Sequence, residues 1–121
     1  MDQPALVTAV VLDTVDLERV ERFWSTFLGL KAVHREHPYV YLDRLAPDGP
    51  RLALQQVPEA KAGKNRLHFD VRVLDRAAAV ERIVALGGRV LGDHQEGGFP
   101  AWTVVTDPEG NEFCVYERGE G

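Results

Sequence analysis

Asp16-Leu-Glu-Arg-Val-Glu-Arg-Phe-Trp-Ser-Thr-Phe-Leu-Gly29 and Asp75-Arg-Ala-Ala-Ala-Val-Glu-Arg-Ile-Val-Ala-Leu-Gly-Gly88 are the two stretches on which the fold turns. In the first, Val20, Phe23, Trp24, Phe27 and Leu28 recur at helical spacing. Asp16 stands where a carboxylate accepts from the free amides of a first helical turn, and Gly29 where a helix stops. In the second, Asp75 opens the helix, Val80, Ile83 and Val84 share one side, and Gly87-Gly88 ends it. Asp75 follows Asp16 by 59 residues, and Gly88 follows Gly29 by the same interval.

Working outward, an apolar strand is expected over 5–12 before the first helix, and an alternating strand over Arg66 to Leu74 before the second. Extended pieces follow each helix: Lys31 to His34, Tyr39 to Asp43 and Arg51 to Val57, then Arg89 to Leu91, Trp102 to Thr106 and Glu112 to Glu117. Each half reads β-α-β-β-β, and agreement in cap, stop and strand number favours a duplication. The expected class is α+β, one domain over 1–121, with module 1 at 1–58, a polar linker at 58–65 and module 2 at 66–121. Neither half would bury its sheet alone; tandem βαβββ modules would form a curved mixed sheet around a cup-shaped cavity, a usual seat for a small ligand.

With 121 residues and 45% of them hydrophobic, the chain can bury a real core. A net charge of −5, with no basic stripe, argues against nucleic acid and against an anionic membrane surface. The apolar run Ala5 to Leu12 is far shorter than the roughly 20 residues of a membrane span. Cys114 is the single cysteine and so forms no intramolecular disulfide, and the opening Met-Asp-Gln-Pro lacks the basic region of a secretory signal. A cytoplasmic location is expected.

Strand alternation selects the side chains that face the cavity. Leu67, Phe69, Val71 and Val73 form an apolar face, which leaves His68, Asp70 and Arg72 opposite. His68 and Asp70 stand about 6 to 7 Å apart at Cα, a gap their side chains need not bridge. His68 reads either as a general base or as a histidine hydrogen-bonded across the sheet. In the last strand Phe113 and Val115 oppose Glu112, Cys114 and Tyr116. Cys114, with no basic neighbour in sequence, reads as a small buried group more than a nucleophile. The 59-residue interval makes Ala9 and Gln55 the counterparts of His68 and Cys114. Ala9, Gln55, His68 and Cys114 are a poor metal set, since Ala offers no donor and Gln a weak one. No metal and no cofactor are expected. Trp102 reads equally as a stacking surface or as core.

Other features invite less. His34 and His37 flank Glu36, but on an extended chain the rings need not converge on a metal. Pro47-Asp48-Gly49-Pro50 is turn chemistry, and residues 95–100 read as a loop able to cover the cavity.

Asp16-Leu-Glu-Arg19 with Phe23-Trp24 and Phe27-Leu-Gly-Leu30, then Asp107-Pro-Glu-Gly-Asn111 before a final strand, resemble the signatures of the vicinal oxygen chelate (glyoxalase, bleomycin-resistance and dioxygenase) superfamily. Gln55-Gln56-Val57-Pro58, Lys64 to His68 and Asn111 to Val115 resemble a glyoxalase-like subgroup of it. The metal ligands of metal-dependent relatives carry over to Ala9, Gln55, His68 and Cys114, of which His68 alone matches in type. The resemblance also implies a two-fold homodimer. It implies a protein that binds a small organic molecule without a metal, through Gln55, His68, Asp70, Trp102, Cys114 and Tyr116. The alternative is a lyase, isomerase or dioxygenase-type enzyme with His68 as base or as one ligand of a weak divalent site.

Overall fold

Asp16 accepts a hydrogen bond from the amide of Arg19 at 3.2 Å, and Asp75 accepts one from Ala78 at 3.0 Å, so both predicted caps start a helix. Each such cap is worth about 1 kcal/mol, because it satisfies an amide that the helix itself leaves without an acceptor. The computed structural model describes residues 7–65, 67–98 and 100–117. The elements are β1 (Ala9–Thr14), α1 (Leu17–Leu28), β2 (Ala32–Glu36), β3 (Tyr39–Arg44), β4 (Arg51–Gln56), β5 (Asp70–Val73), α2 (Arg76–Ala85), β6 (Arg89–His94), β7 (Trp102–Thr106) and β8 (Glu112–Glu117).

The chain divides into two compact units, Met1–Ala60 and Lys61–Gly121. Each is a βαβββ module with one four-stranded mixed sheet, ordered β1-β4-β3-β2 in the first and β5-β8-β7-β6 in the second. The opening strand runs parallel to the last strand of its unit, and the remaining pairs are antiparallel. The fold class is therefore α+β, as read from the sequence.

In the first unit Val20, Phe23 and Trp24 of α1 are buried together with Val40, Leu42, Leu52 and Leu54 of the sheet. The Phe23 and Trp24 rings meet edge to face at 5.1 Å. Truncating either ring to Ala would cost about 3 to 5 kcal/mol, the usual range for a buried aromatic. In the second unit α2 packs on β6, β7 and β8, and Ile83 is buried with Val105, Phe113 and Val115. Ala79, four residues before Ile83, takes the inward place expected for Val84, which is 51% exposed. One helical turn separates Ala79 from Ile83, whereas Val84 is rotated away from the sheet.

Several expectations are corrected. The strand expected over 5–12 begins outside the described residues and its ladder runs Ala9–Thr14. The strand expected over 66–74 is shorter, Asp70–Val73. Arg66 lies outside the described residues; Leu67, expected on the apolar face, and Leu74, the expected last residue of the strand, are 84% and 97% exposed. Alternation runs in the sequence for several residues before the first ladder residue, so it overstated the strand. The strands expected at 31–34 and 89–91 extend to Glu36 and His94.

The two stop glycines also differ in role. Gly29 is left-handed at φ 70° and has open space around it, as does a helix stop. In the second unit Gly87 carries the positive φ of 101°. Gly88 is there for closeness instead, since a Cβ on it would lie 2.2 Å from the Thr106 carbonyl oxygen and 2.6 Å from Ile83 Cγ2.

The equal spacing does not survive into the closing strands. Parallel partners lie 42 residues apart in the first unit, as Ala9 and Arg51, and 44 apart in the second, as Asp70 and Cys114. The helix entrances agree: Gln56 Oε1 accepts from Leu17 N at 3.1 Å and Glu117 Oε1 accepts from Arg76 N at 2.9 Å. Gln56 and Glu117 are 61 residues apart, so the register counterpart of Cys114 is Ala53, not Gln55.

The Asp107-to-Asn111 hairpin is built as its residues suggest. The buried Asp107 carboxylate accepts from the amides of Glu109 and Asn111 at 2.9 Å each and from Asn111 Nδ2 at 2.8 Å. Gly110 supplies the positive φ of 88°. Among the described residues no helix is long and apolar enough to cross a membrane.

Candidate functional site

On the side of the second sheet away from α2, ladder partners form rows. Asp70, Cys114 and Val104 stand in one row; Arg72, Tyr116, Trp102 and His94 stand in the next. Residues paired in this way have Cβ atoms roughly 5 Å apart, close enough to make one continuous wall. Against that wall lies a cavity of about 620 Å³ lined by His68, Asp70, Glu96, Pro100, Trp102, Cys114 and Tyr116. Five of the six residues singled out from the sequence, His68, Asp70, Trp102, Cys114 and Tyr116, thus come together. The sixth, Gln55, is on β4 of the first unit, half-buried and paired with Asp13 and Tyr39.

His68 precedes the first ladder residue of β5, and this irregular backbone lets its ring fold toward the strand. His68 Nε2 reaches Asp70 Oδ1 at 3.4 Å, a contact the Cα spacing of a regular strand did not require. The side chains are 54% and 66% exposed, so the pair contributes little to stability. Its place at the cavity is what gives it a use: a carboxylate beside an imidazole holds the ring's orientation.

Cys114, half-buried, lies beside this pair. Burial, and after it the Asp70 carboxylate, push its thiol above the ordinary range, with Lys64 pulling weakly the other way. The group is therefore a neutral thiol near pH 7, a poor nucleophile on its own. Lys64 is engaged with Glu112 at 2.8 Å, and this hydrogen bond holds the Glu112 carboxyl below its usual range.

Trp102 is only half-buried, which decides between the two readings of it in favour of a cavity wall. The His94 imidazole stacks on its indole, with centroids 5.6 Å apart and planes at 20°. Behind this pair, on the helix side, Asp93 accepts from Thr103 Oγ1 at 2.6 Å, and Arg76 reaches Thr103 Oγ1 at 3.1 Å and Asp93 at 3.5 Å. The network ties the start of α2 to β6 and β7 where the loop 95–101 leaves them.

Glu96 and Pro100 of that loop line the cavity and were not singled out, although the loop was. Their Gly-rich setting carries no periodicity from which a facing side chain could be read. Phe99 lies outside the described residues. His34 pairs with Glu36 at 3.0 Å on the exposed strand β2, with no His37 contact at that pair. Among the described residues, His68, Asp70 and Cys114 form a group whose nitrogen, oxygen and sulfur donors all lie within 4.8 Å of one another. Asp70 is the donor that the four-position reading left uncounted. Three such donors are of the number and kind that Zn²⁺ and similar borderline-soft ions accept.

Two βαβββ modules with polar groups gathered on one sheet face define a class of protein. A glyoxalase-like domain model matches residues 9–116, and the chain belongs to that family, within the vicinal oxygen chelate superfamily. Solved structures with the same fold include a glyoxalase-related enzyme from Fulvimarina pelagi, 21% identical with a TM-score of 0.74 over 93% of this chain and 87% of that one. The lactoylglutathione lyase of Agrobacterium tumefaciens is 22% identical, with a TM-score of 0.67 and 96% of each chain covered. A mutant fosfomycin resistance protein of Listeria monocytogenes, complexed with Mn(II) and 1S,2S-dihydroxypropylphosphonic acid, is 13% identical, with a TM-score of 0.77 over 95% of this chain and 90% of that one. At these identities the likeness is one of fold. No curated protein matches the chain in sequence.

Proposed function

We propose that the sheet face of the second unit binds a small organic molecule, with Trp102, Tyr116 and Pro100 as apolar walls and His68, Asp70 and Cys114 as the polar end. The observation that carries this reading is the cavity itself, which has the size of a small-ligand site and gathers aromatic walls and a few polar groups. Gln55, expected in the same ligand set, lies on β4 of the first unit and is not counted with this face. The same reading takes the protein as a cytoplasmic homodimer. Native mass spectrometry of the purified full chain tests it: a small molecule is expected to stay bound to the protein and to be lost from Trp102→Ala/Tyr116→Ala. A bound molecule retained by that variant would move the site elsewhere.

A second reading, a metal-assisted lyase, isomerase or dioxygenase-type enzyme, is favoured by one observation: the three donors of His68, Asp70 and Cys114 within 4.8 Å. A borderline-soft divalent ion held there would act as a Lewis acid on an oxygen of the bound molecule. Because the thiol must lose its proton to ligate, affinity for the ion would rise with pH. Titration with Zn²⁺ alone separates the readings. Stoichiometric binding with proton release, abolished in Cys114→Ser and in His68→Ala, supports the metal; no binding above the variants' level removes it.

A further inference from the structure

We infer that the occupant of this cavity is a cation: an organic ammonium or a protonated nitrogen base carried on or next to an aromatic ring. The inference rests on the small-molecule reading above and names the ligand class within it. Among the described residues that line the cavity, Asp70 and Glu96 are carboxylates and none is Lys or Arg. Among the described residues Glu96 has no ion-pair partner, so its charge is free to meet a ligand.

Within the lining, His68 Nε2 lies 3.4 Å from Asp70, so Glu96 is the lining carboxylate with no ion-pair partner among the described residues. Lys64 is held by Glu112 at 2.8 Å. Arg72, next along this face of β5, is exposed and lies outside the lining. The field of Asp70 is felt inside the cavity, where it helps keep the Cys114 proton on. The remaining walls suit the same charge. Trp102 and Tyr116 are ladder partners, and aromatic faces carry the negative end of a quadrupole that attracts ammonium groups. An anionic ligand would meet both carboxylates and both ring faces with the wrong sign, and a neutral one would leave Glu96 unanswered.

Three probes of nearly equal size test the charge: 2-phenylethylammonium, 2-phenylethanol and phenylacetate. Each is titrated into the chelator-treated full chain at pH 7, reading the Trp102 indole N–H by NMR, with Trp24, buried in the first unit, as internal control. The ammonium is expected to bind about tenfold more tightly than the alcohol, with phenylacetate weakest, and its advantage should shrink as salt is added. Asp70→Asn/Glu96→Gln should erase the preference of the ammonium over the alcohol, because the two lining carboxylate charges are removed. Equal or tighter binding of the alcohol or phenylacetate at the same indole overturns the inference and leaves the small-molecule site standing. If none of the three moves the Trp102 signal, the site and the inference fall together.

Discussion

The two units share a fold and differ in what they hang on it. Both begin with an aspartate cap, both receive their first helical amide on a side chain from the end of the closing strand, and both order their strands alike. Yet the row that reads Asp70, Cys114, Val104 in the second unit reads Val11, Ala53, Tyr41 in the first. Between β2 and β3 the chain turns in two residues, whereas between β6 and β7 it runs through 95–101 and brings Glu96 and Pro100 to a cavity. Caps and core are constrained by the backbone that every copy must build. The face away from the helix is free to diverge, and among the described residues the His68, Asp70 and Cys114 donors are gathered in one copy.

The largest effect should come from the glycines that look equivalent and are not. Gly88→Ala drives a methyl into the Thr106 carbonyl oxygen and is expected to destabilise the protein by about 3 kcal/mol. Gly29→Ala strains only a left-handed cap in open space, at about 1 kcal/mol. Urea unfolding of the two variants checks the order, and equal losses would mean that the stops do the same job.

Binding should be equally one-sided. Trp102→Ala is expected to weaken any small aromatic ligand by about tenfold, while Tyr41→Ala, on the corresponding face of the first unit, should leave it unchanged. Calorimetric titration reads both, and a comparable loss from Tyr41→Ala would return the first unit to the site.

How much of this was legible follows from which interactions are local. A cap satisfies one amide three residues on, so Asp16 and Asp75 could be read directly, and strict alternation in 112–117 placed Cys114 and Tyr116 on one face. The counterpart of Cys114 was misread as Gln55 because an interval measured at the helices was carried past connections of different length. The approach of His68 to Asp70 was hidden by His68 lying just outside the ladder, where strand spacing no longer applies. Glu96 sits in a loop whose course is set by contacts distant in sequence, and no pattern announces it.

Smaller effects sharpen the contrast further. With its thiol raised by burial and by Asp70, Cys114 should react with iodoacetamide slowly at pH 7 and reach half its maximal rate above the usual thiol range of about 8.5. Asp70→Asn should move that midpoint down, and no movement would remove the carboxylate from the cavity's electrostatics. The smallest effect belongs to Lys64 and Glu112. Because the Glu112 carboxyl is lowered in the folded chain, its contribution to stability is present above its ordinary pKa and is lost as pH falls through the lowered one. The small stability difference between the protein and Lys64→Ala should therefore vanish in acid, as thermal unfolding at neutral and acid pH would record.

The most direct test of the account is a backbone-amide NMR map of the full chain titrated with a set of small aromatic compounds. The account predicts shifts gathered at His68, Asp70, Glu96, Trp102, Cys114 and Tyr116. Shifts gathered instead along β1, β3 and β4 of the first unit, with those six unmoved, would contradict it.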